Sequence, residues 1–157
     1  MRYMVIILTL LLPLAISACE NDKEGRENNR TVQEENKVEM NQIYIKIGEN
    51  TLTAALEDNE SAKALKELLT DGPLTISASN HGGFEKVCSL ERELPSNDSQ
   101  ITTHAGDICL YKGDQIVIFY DSNSWAYTKL GKISDADQSE LEKVLSGKET
   151  EITLSLE

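Results

Sequence analysis

The stretch 115–120, which reads QIVIFY, decides how the rest of the chain is interpreted. In a strand, Val117 and Phe119 would lie on one face, and Ile116 and Ile118 on the other. A strand that is apolar on both faces is normally covered on both faces, as inside a sheet. The sequence therefore predicts that residues 115–120 form an interior strand of the fold.

Short strands are also predicted on both sides of this stretch. Ile43, Ile45 and Ile47 alternate with polar residues, and Gly48-Glu49-Asn50 predicts a hairpin turn into a return strand over 51–56. Further strands are predicted at 74–78, 84–90, 108–111 and 152–156, with turns at 95–98 and 112–114. Such a series of short strands predicts a mostly antiparallel sheet.

Two helices are predicted between these strands. Residues 60–70 carry apolar side chains on one face and end at Gly72-Pro73. A second helix is predicted to open at Ser134, with Asp137 three residues on as a weaker form of the capping box, and to end at Gly147. Two helices set apart from many short strands predict a mainly β fold, in which the helices cover the open ends of a barrel or sandwich.

Length and charge limit the classes of function. The chain has 157 residues, the length of one ordinary domain, and its acidic residues outnumber its basic residues by 27 to 15. The formal net charge of −12 repels the phosphate backbone of nucleic acids. We therefore expect no nucleic-acid partner.

The N-terminus predicts a location outside the cytoplasm. Residues 1–18 combine Arg2 with an apolar core too short for a transmembrane span, as in a signal peptide. The core ends in Ile16-Ser17-Ala18-Cys19, which resembles the bacterial lipobox, although an ordinary signal peptide that happens to contain a cysteine is the alternative. With a lipid on Cys19, the protein would be a membrane-anchored lipoprotein, and residues 19–42 would form a disordered acidic tether.

Five stretches of the chain occur in a recognisable order. They are Gly83-Phe84-Glu85-Lys86-Val87, Leu94-Pro95, Gly106-Asp107-Ile108, Gly113-Asp114-Gln115-Ile116-Val117-Ile118-Phe119-Tyr120 and Leu130-Gly131-Lys132-Ile133. Together they resemble the bacterial cyclophilin-like domain family, over essentially all of residues 43–157. The resemblance implies a closed, eight-stranded cyclophilin-like β-barrel with two capping helices, which agrees with the pattern of strands and helices.

The resemblance implies the fold more strongly than an activity. Cyclophilins are peptidyl-prolyl isomerases that stabilise a twisted amide with the guanidinium fork of an arginine above an apolar floor. Where they read Phe-His-Arg, this chain reads Phe84-Glu85-Lys86, and a lysine has no planar fork. Val117 stands at the position of the floor phenylalanine, the site histidine has no counterpart near Thr128, and an aromatic near Trp125 survives.

We therefore expect a binding module, with a weak peptidyl-prolyl isomerase that assists folding outside the cytoplasm as the alternative. The expected pocket holds a small ligand or an extended peptide and is lined by Phe84, Lys86, Tyr111, Trp125 and Tyr127. Trp125 follows a polar turn and could be a ligand platform, because aromatic side chains offer a large contact area. The interpretation we favour for Trp125 is that it plugs one end of the barrel, because aromatic residues account for much of the burial in a small core.

The remaining reactive residues predict no metal or cofactor. His81 and His104 fall in predicted loops, and neither HxxxH nor CxxC spacing occurs. The long G-x-G-x-x-G spacing of a dinucleotide site is also absent. Cys88 and Cys109 lie on different predicted strands, and either a disulfide or two separate buried thiols is consistent with their positions.

Overall fold

The computed structural model describes residues 41–148 and 151–157, and these form nine strands and two helices. The elements are β1 (Gln42–Ile47), β2 (Asn50–Leu56), α1 (Glu60–Thr70), β3 (Leu74–His81), β4 (Glu85–Ser89), β5 (Ser99–Thr102), β6 (Asp107–Tyr111), β7 (Gln115–Phe119), β8 (Ser124–Ile133), α2 (Gln138–Leu145) and β9 (Glu151–Ser155). The predicted signal peptide, the predicted lipidation site at Cys19 and nearly all of the predicted tether lie outside the described residues. Neither described helix has the length and apolar character needed to cross a membrane.

Eight of the strands close into a barrel. Their order is β2-β1-β9-β3-β4-β7-β6-β8, every pair is antiparallel, and β2 pairs with β8 to close the ring. At this closing seam, a side chain on Gly131 of β8 would overlap the backbone carbonyl of Ala55 on β2. β5 lies outside the ring and pairs only with the first half of β8. The structure confirms the closed, mainly β barrel with two helices that the resemblance implied.

The sheet separates two apolar layers. Inside the barrel, Ile116 and Ile118 of β7 pack with the other strands, and the buried leucines of both helices complete this core. On the outside, a second group, which we call the outer cluster, contains buried Cys109, Val117, Phe119 and Tyr127, with half-buried Phe84, Val87, Ile101 and Tyr111 against them. The prediction that 115–120 is apolar and buried on both faces is thus confirmed.

The second helix begins later than predicted. α2 starts at Gln138, and Asp137 is its N-cap: the Asp137 carboxylate accepts from the backbone N–H of Glu140 at 3.0 Å, and the Glu140 carboxylate accepts from that of Asp137 at 3.0 Å. This is a complete capping box, with the Asp at the cap rather than at the third helical position. Ser134 instead donates its backbone N–H to the carbonyl of Thr53 and continues the line of β8. The prediction that Ser134 opens the helix is therefore wrong.

Candidate functional site

Four of the five predicted binding residues lie on the outer side of the barrel. Phe84, Tyr111 and Tyr127 belong to the outer cluster. Trp125 lies two residues before Tyr127 on β8, so the two side chains lie on the same face of the sheet. Trp125 is also directly opposite Ile101 of β5. The structure separates the fifth residue, Lys86, from this group.

Lys86 is fully buried inside the barrel. On β4 it pairs with Ile118 of β7, which belongs to the interior core. Its ammonium Nζ donates to the carbonyl of Gly147 at 3.3 Å, just beyond the end of α2. A cation is favourable at this place because the last carbonyls of a helix form the negative end of its dipole. Lys86 is therefore part of the barrel core, and the expectation that it lines a pocket with the aromatic residues is wrong.

The neighbouring residue, Glu85, takes the outward position on β4. Glu85 is opposite Phe119 on β7 and His81 on β3, and it is only 6% exposed. The Tyr127 hydroxyl donates to Glu85 Oε2 at 3.4 Å, a long hydrogen bond, and Asn123 Nδ2 donates to the same hydroxyl at 3.0 Å. None of the ion pairs that the described residues form with one another includes Glu85. The outer cluster thus contains a buried carboxylate whose one observed hydrogen bond comes from a neutral donor.

Burial changes the titration of both partners in this hydrogen bond. Burial raises the pKa of Glu85, while the nearby His81 and the hydrogen bond from Tyr127 act in the opposite direction. Burial and then the charge of Glu85 raise the pKa of Tyr127 to about 12. Tyr127 therefore keeps its proton at neutral pH and remains a hydrogen-bond donor to the carboxylate.

Aromatic rings hold Tyr127 in place. Its ring meets that of Phe119 edge-on at a centroid distance of 5.3 Å and that of Tyr111 at 5.7 Å. Pairs of this geometry contribute about 0.5–1.5 kcal/mol beyond the area that they bury. The hydroxyl that reaches Glu85 is therefore carried by a ring with little freedom to move.

Tyr127 also lines a groove, which we call the β8 groove. It has a volume of about 410 Å³ and lies between the start of α1, the segment 95–99 and strands β5 and β8. Its lining includes Ser61, Pro95, Ser99, Ile101, Tyr127 and Lys129. Tyr127 is therefore shared between the groove and the Glu85 carboxylate.

Trp125 is exposed at the edge of this region. Its side chain is 56% exposed, and no other large apolar side chain in the described part of the chain is exposed. The interpretation in which Trp125 plugs one end of the barrel is wrong, because a plug would be buried. Sequence reasoning missed strands β5 and β8, and with them the pairing that places Trp125 opposite Ile101.

The two cysteines lie on opposite sides of the sheet. Cys88 belongs to the interior core and Cys109 to the outer cluster, and their strands, β4 and β6, are separated by β7. Both are free, and burial raises the pKa of each thiol to about 12. Of the two alternatives, the structure therefore has separate buried thiols rather than a disulfide. Thiols with so high a pKa are poor nucleophiles.

The described residues contain no group of three or more metal-ligating side chains. His81 is the last residue of β3 rather than a loop residue, and it is exposed. His104 lies in the loop before β6, with its Nδ1 3.9 Å from a carboxylate oxygen of Asp107. The two histidines belong to different surroundings in the fold.

Glu85→Gln is expected to change how the free energy of unfolding depends on pH. Because burial raises the pKa of Glu85 above its ordinary value in the folded protein, the folded state holds this proton more firmly than the unfolded state. The stabilising contribution of the group is fully present below the unfolded pKa and is lost as the pH rises through the raised pKa. Urea unfolding from about pH 4 to about pH 8 should therefore show wild-type stability falling relative to that of Glu85→Gln.

The matched control is Glu91→Gln, which removes a charge from an exposed position. It should follow the wild-type pH profile. A wild-type protein that gained stability over Glu85→Gln with increasing pH would contradict the burial of this carboxylate.

With the geometry established, comparison with known proteins identifies the family. The sequence model of the cyclophilin-like family matches residues 45–157, whereas a search of the curated proteins gave no match. Among solved structures, the solution structure of the hypothetical protein AF2241 from Archaeoglobus fulgidus aligns with a TM-score of 0.52 and 17% sequence identity, over 74% of this chain and 94% of that chain. At that identity, the likeness shows the fold alone. Because the family match extends from β1 to the last residue, the chain belongs to the cyclophilin-like family.

Proposed function

We propose that this protein is a cell-surface lipoprotein whose barrel binds an extended peptide on its outer side, next to Trp125 and along the β8 groove. The observation that carries the proposal is the 56% exposure of Trp125 beside a groove. Tryptophan is enriched at protein interfaces, because its large ring offers contact area and its indole N–H offers a hydrogen bond. Tryptophan is also among the residues that contribute most to binding energy when a partner covers them.

The edge of β5 supports an extended ligand rather than a compact one. The backbone N–H of Thr103 donates to the carbonyl of Asn123, which fixes the hydrogen-bonded positions of the β5–β8 pair. Because these positions alternate along an antiparallel pair, the main-chain groups of Gln100 and Thr102 point away from β8. β5 is the last strand of the sheet in the described chain, so these groups are available to an added strand.

A peptide that paired with this edge would place its side chains on both sides of the β5–β8 ribbon. Side chains on the same face as Ile101 would lie beside Trp125, since these two residues are directly opposite each other. Main-chain hydrogen bonds would supply affinity, and the aromatic surface would supply selectivity.

The lipoprotein part of the proposal rests on Ile16-Ser17-Ala18-Cys19 at the end of an apolar signal core. A lipid on Cys19, followed by a polar tether over residues 19–42, would hold the barrel outside the membrane surface. The peptide ligand would then be encountered outside the cytoplasm.

Because Trp125 is the only tryptophan in the chain, its fluorescence reports directly on the proposed surface. We expect members of a library of acetylated, amidated hexapeptides to shift this emission saturably in the chain from residue 19 with Cys19→Ser. Trp125→Ala should weaken binding of the best peptide at least tenfold, because it removes the largest exposed contact area. Tyr44→Ala on β1, in a half-buried position on another strand, is the matched control and should keep the affinity. The variants are compared by calorimetry.

Equal affinity of Trp125→Ala and the parent chain would place the peptide elsewhere and contradict the proposal. Catalysed isomerisation of an Ala-Pro peptide, in a protease-coupled assay, would instead favour the isomerase alternative.

Cys19→Ser is expected to abolish incorporation of a labelled fatty acid into the protein when the full chain is expressed in a bacterium. The serine variant cannot accept the thioether-linked lipid. Mass spectrometry of the N-terminal peptide of the parent protein should find the mass of a diacylglyceryl group on Cys19. An unmodified Cys19 in the processed protein would contradict the lipoprotein assignment.

A further inference from the structure

We infer that the ligand of the outer side carries a positively charged group, an ammonium or a guanidinium, and that Glu85 is the carboxylate that binds it. This inference rests on the proposed function, because it names the chemistry of a ligand at the same surface. It begins from the placement of two adjacent charged residues on opposite faces of β4.

No ion pair among the described residues compensates the charge of Glu85. The cation nearest to it in sequence, Lys86, points into the barrel and donates to the carbonyl of Gly147. The carboxylate itself is 6% exposed, and its only observed hydrogen bond is the long one from the Tyr127 hydroxyl. A carboxylate has room for about four hydrogen bonds, so most of its acceptor capacity is unused within the described chain.

Burial of such a carboxylate is costly. A charged group taken out of water is unfavourable unless it is paired, and a bound cation would offset that cost. The ionisable groups that act on Glu85 are His81 from β3, Tyr127 from β8, Cys109 from β6 and Tyr120 after β7. Only His81 among them can become a cation, and it does not carry the permanent charge of a lysine or arginine.

The surroundings of Glu85 suit an organic cation rather than a hydrated metal ion. Phe119 of β7 is directly opposite Glu85 of β4. The ring of Tyr127 packs edge-on against the ring of Phe119. Aromatic rings attract ammonium and guanidinium groups, and of these two buried rings Tyr127, which lines the β8 groove, is the one that a bound cation would meet beside the carboxylate. Metal ions would require several more ligands than the single carboxylate that this place offers.

Tyr127 connects the surroundings of Glu85 to the proposed peptide surface. Tyr127 reaches Glu85 with its hydroxyl and lines the β8 groove, and Trp125 lies two residues away with the same facing. Tyr127 is the residue common to the groove and the carboxylate, and we infer that a basic side chain of a peptide bound along β5 reaches Glu85 at the Tyr127 hydroxyl. The net charge of −12 attracts such a ligand over longer distances.

The test compares two peptides of the same shape, acetyl-Ala-Arg-Ala-amide and acetyl-Ala-citrulline-Ala-amide, by titration of amide NMR signals. We expect the arginine peptide to shift the signals of Glu85, Phe119 and Tyr127 saturably, and to bind at least tenfold more tightly than the uncharged citrulline peptide. Glu85→Gln, which keeps the oxygen that accepts from Tyr127 but removes the charge, should bind both peptides equally. Glu91→Gln at an exposed position should behave as the parent protein.

Butylguanidinium is the third probe and separates the two sources of the cation. Binding as tight as that of the arginine peptide would indicate a small organic cation, and weaker binding would indicate a basic peptide; both would support the carboxylate site. Equal binding of the arginine and citrulline peptides by the parent protein, or no binding of either, would overturn the inference without any variant having to fold. So would a charge preference that survives Glu85→Gln.

The two proposals fail separately. Peptides that shift Trp125 emission without a charge preference would support the peptide surface and contradict the role of Glu85. A charge-selective response at Glu85 that is insensitive to Trp125→Ala would support the cation site and contradict the peptide surface.

Discussion

The structure depends on β7 being buried on both of its faces. Ile116 and Ile118 fill the barrel, while Val117 and Phe119 are covered on the outside by the outer cluster. In most small barrels the outer face of a strand meets water and carries polar residues. Here the outside of the sheet has an apolar layer of its own. Each side chain of a strand next to β7 therefore lies either in the barrel core or in the outer layer.

This constraint gives opposite roles to two charged neighbours on β4. Lys86 enters the inner layer, where it donates to Gly147, and Asn80 of β3 donates to the same carbonyl at 3.0 Å. These two donors hold the end of α2, the helix whose Leu141 and Leu145 complete the core. Glu85 enters the outer layer, where Tyr127 supplies its hydrogen bond. The cation is therefore structural, and the anion faces the side on which a ligand would bind.

The sequence was sufficient where one physical signal acted alone. Apolar alternation located β1, a run that is apolar on both faces located β7, and an apolar face followed by Gly72-Pro73 placed α1 at Glu60–Thr70. Prediction from the sequence failed where contacts between distant parts of the chain determine the secondary structure. β8 contains Ser124, Thr128 and two lysines, and it is a strand because β2, β5 and β6 all pair with it. Trp125, Tyr127 and Thr128 are of types enriched in strands, but the polar residues among them interrupt the apolar alternation that identified β1.

The facing of Glu85 and Lys86 was the most consequential error of sequence reasoning. A shift of one residue in a strand exchanges its two faces. In Phe84-Glu85-Lys86-Val87, one charged residue lies on each face, so the sequence does not show which face is buried in the barrel. The pattern in the family to which the chain is similar directed attention to Lys86 as the counterpart of an arginine. Only the pairing of Lys86 with Ile118 and of Glu85 with Phe119 settles which side chain lies inside.

Lysine acetylation followed by mass spectrometry tests this arrangement most directly. The folded protein is treated with a limiting amount of an acetylating reagent, and the modification of Lys86 is compared with that of Lys132, whose side chain is 54% exposed. With Lys86 fully buried, it should remain unmodified while Lys132 reacts, and it should react only after unfolding in urea. Acetylation of Lys86 in the folded protein at the rate of Lys132 would mean that Lys86 faces outwards, and the assignment of the two layers would be wrong.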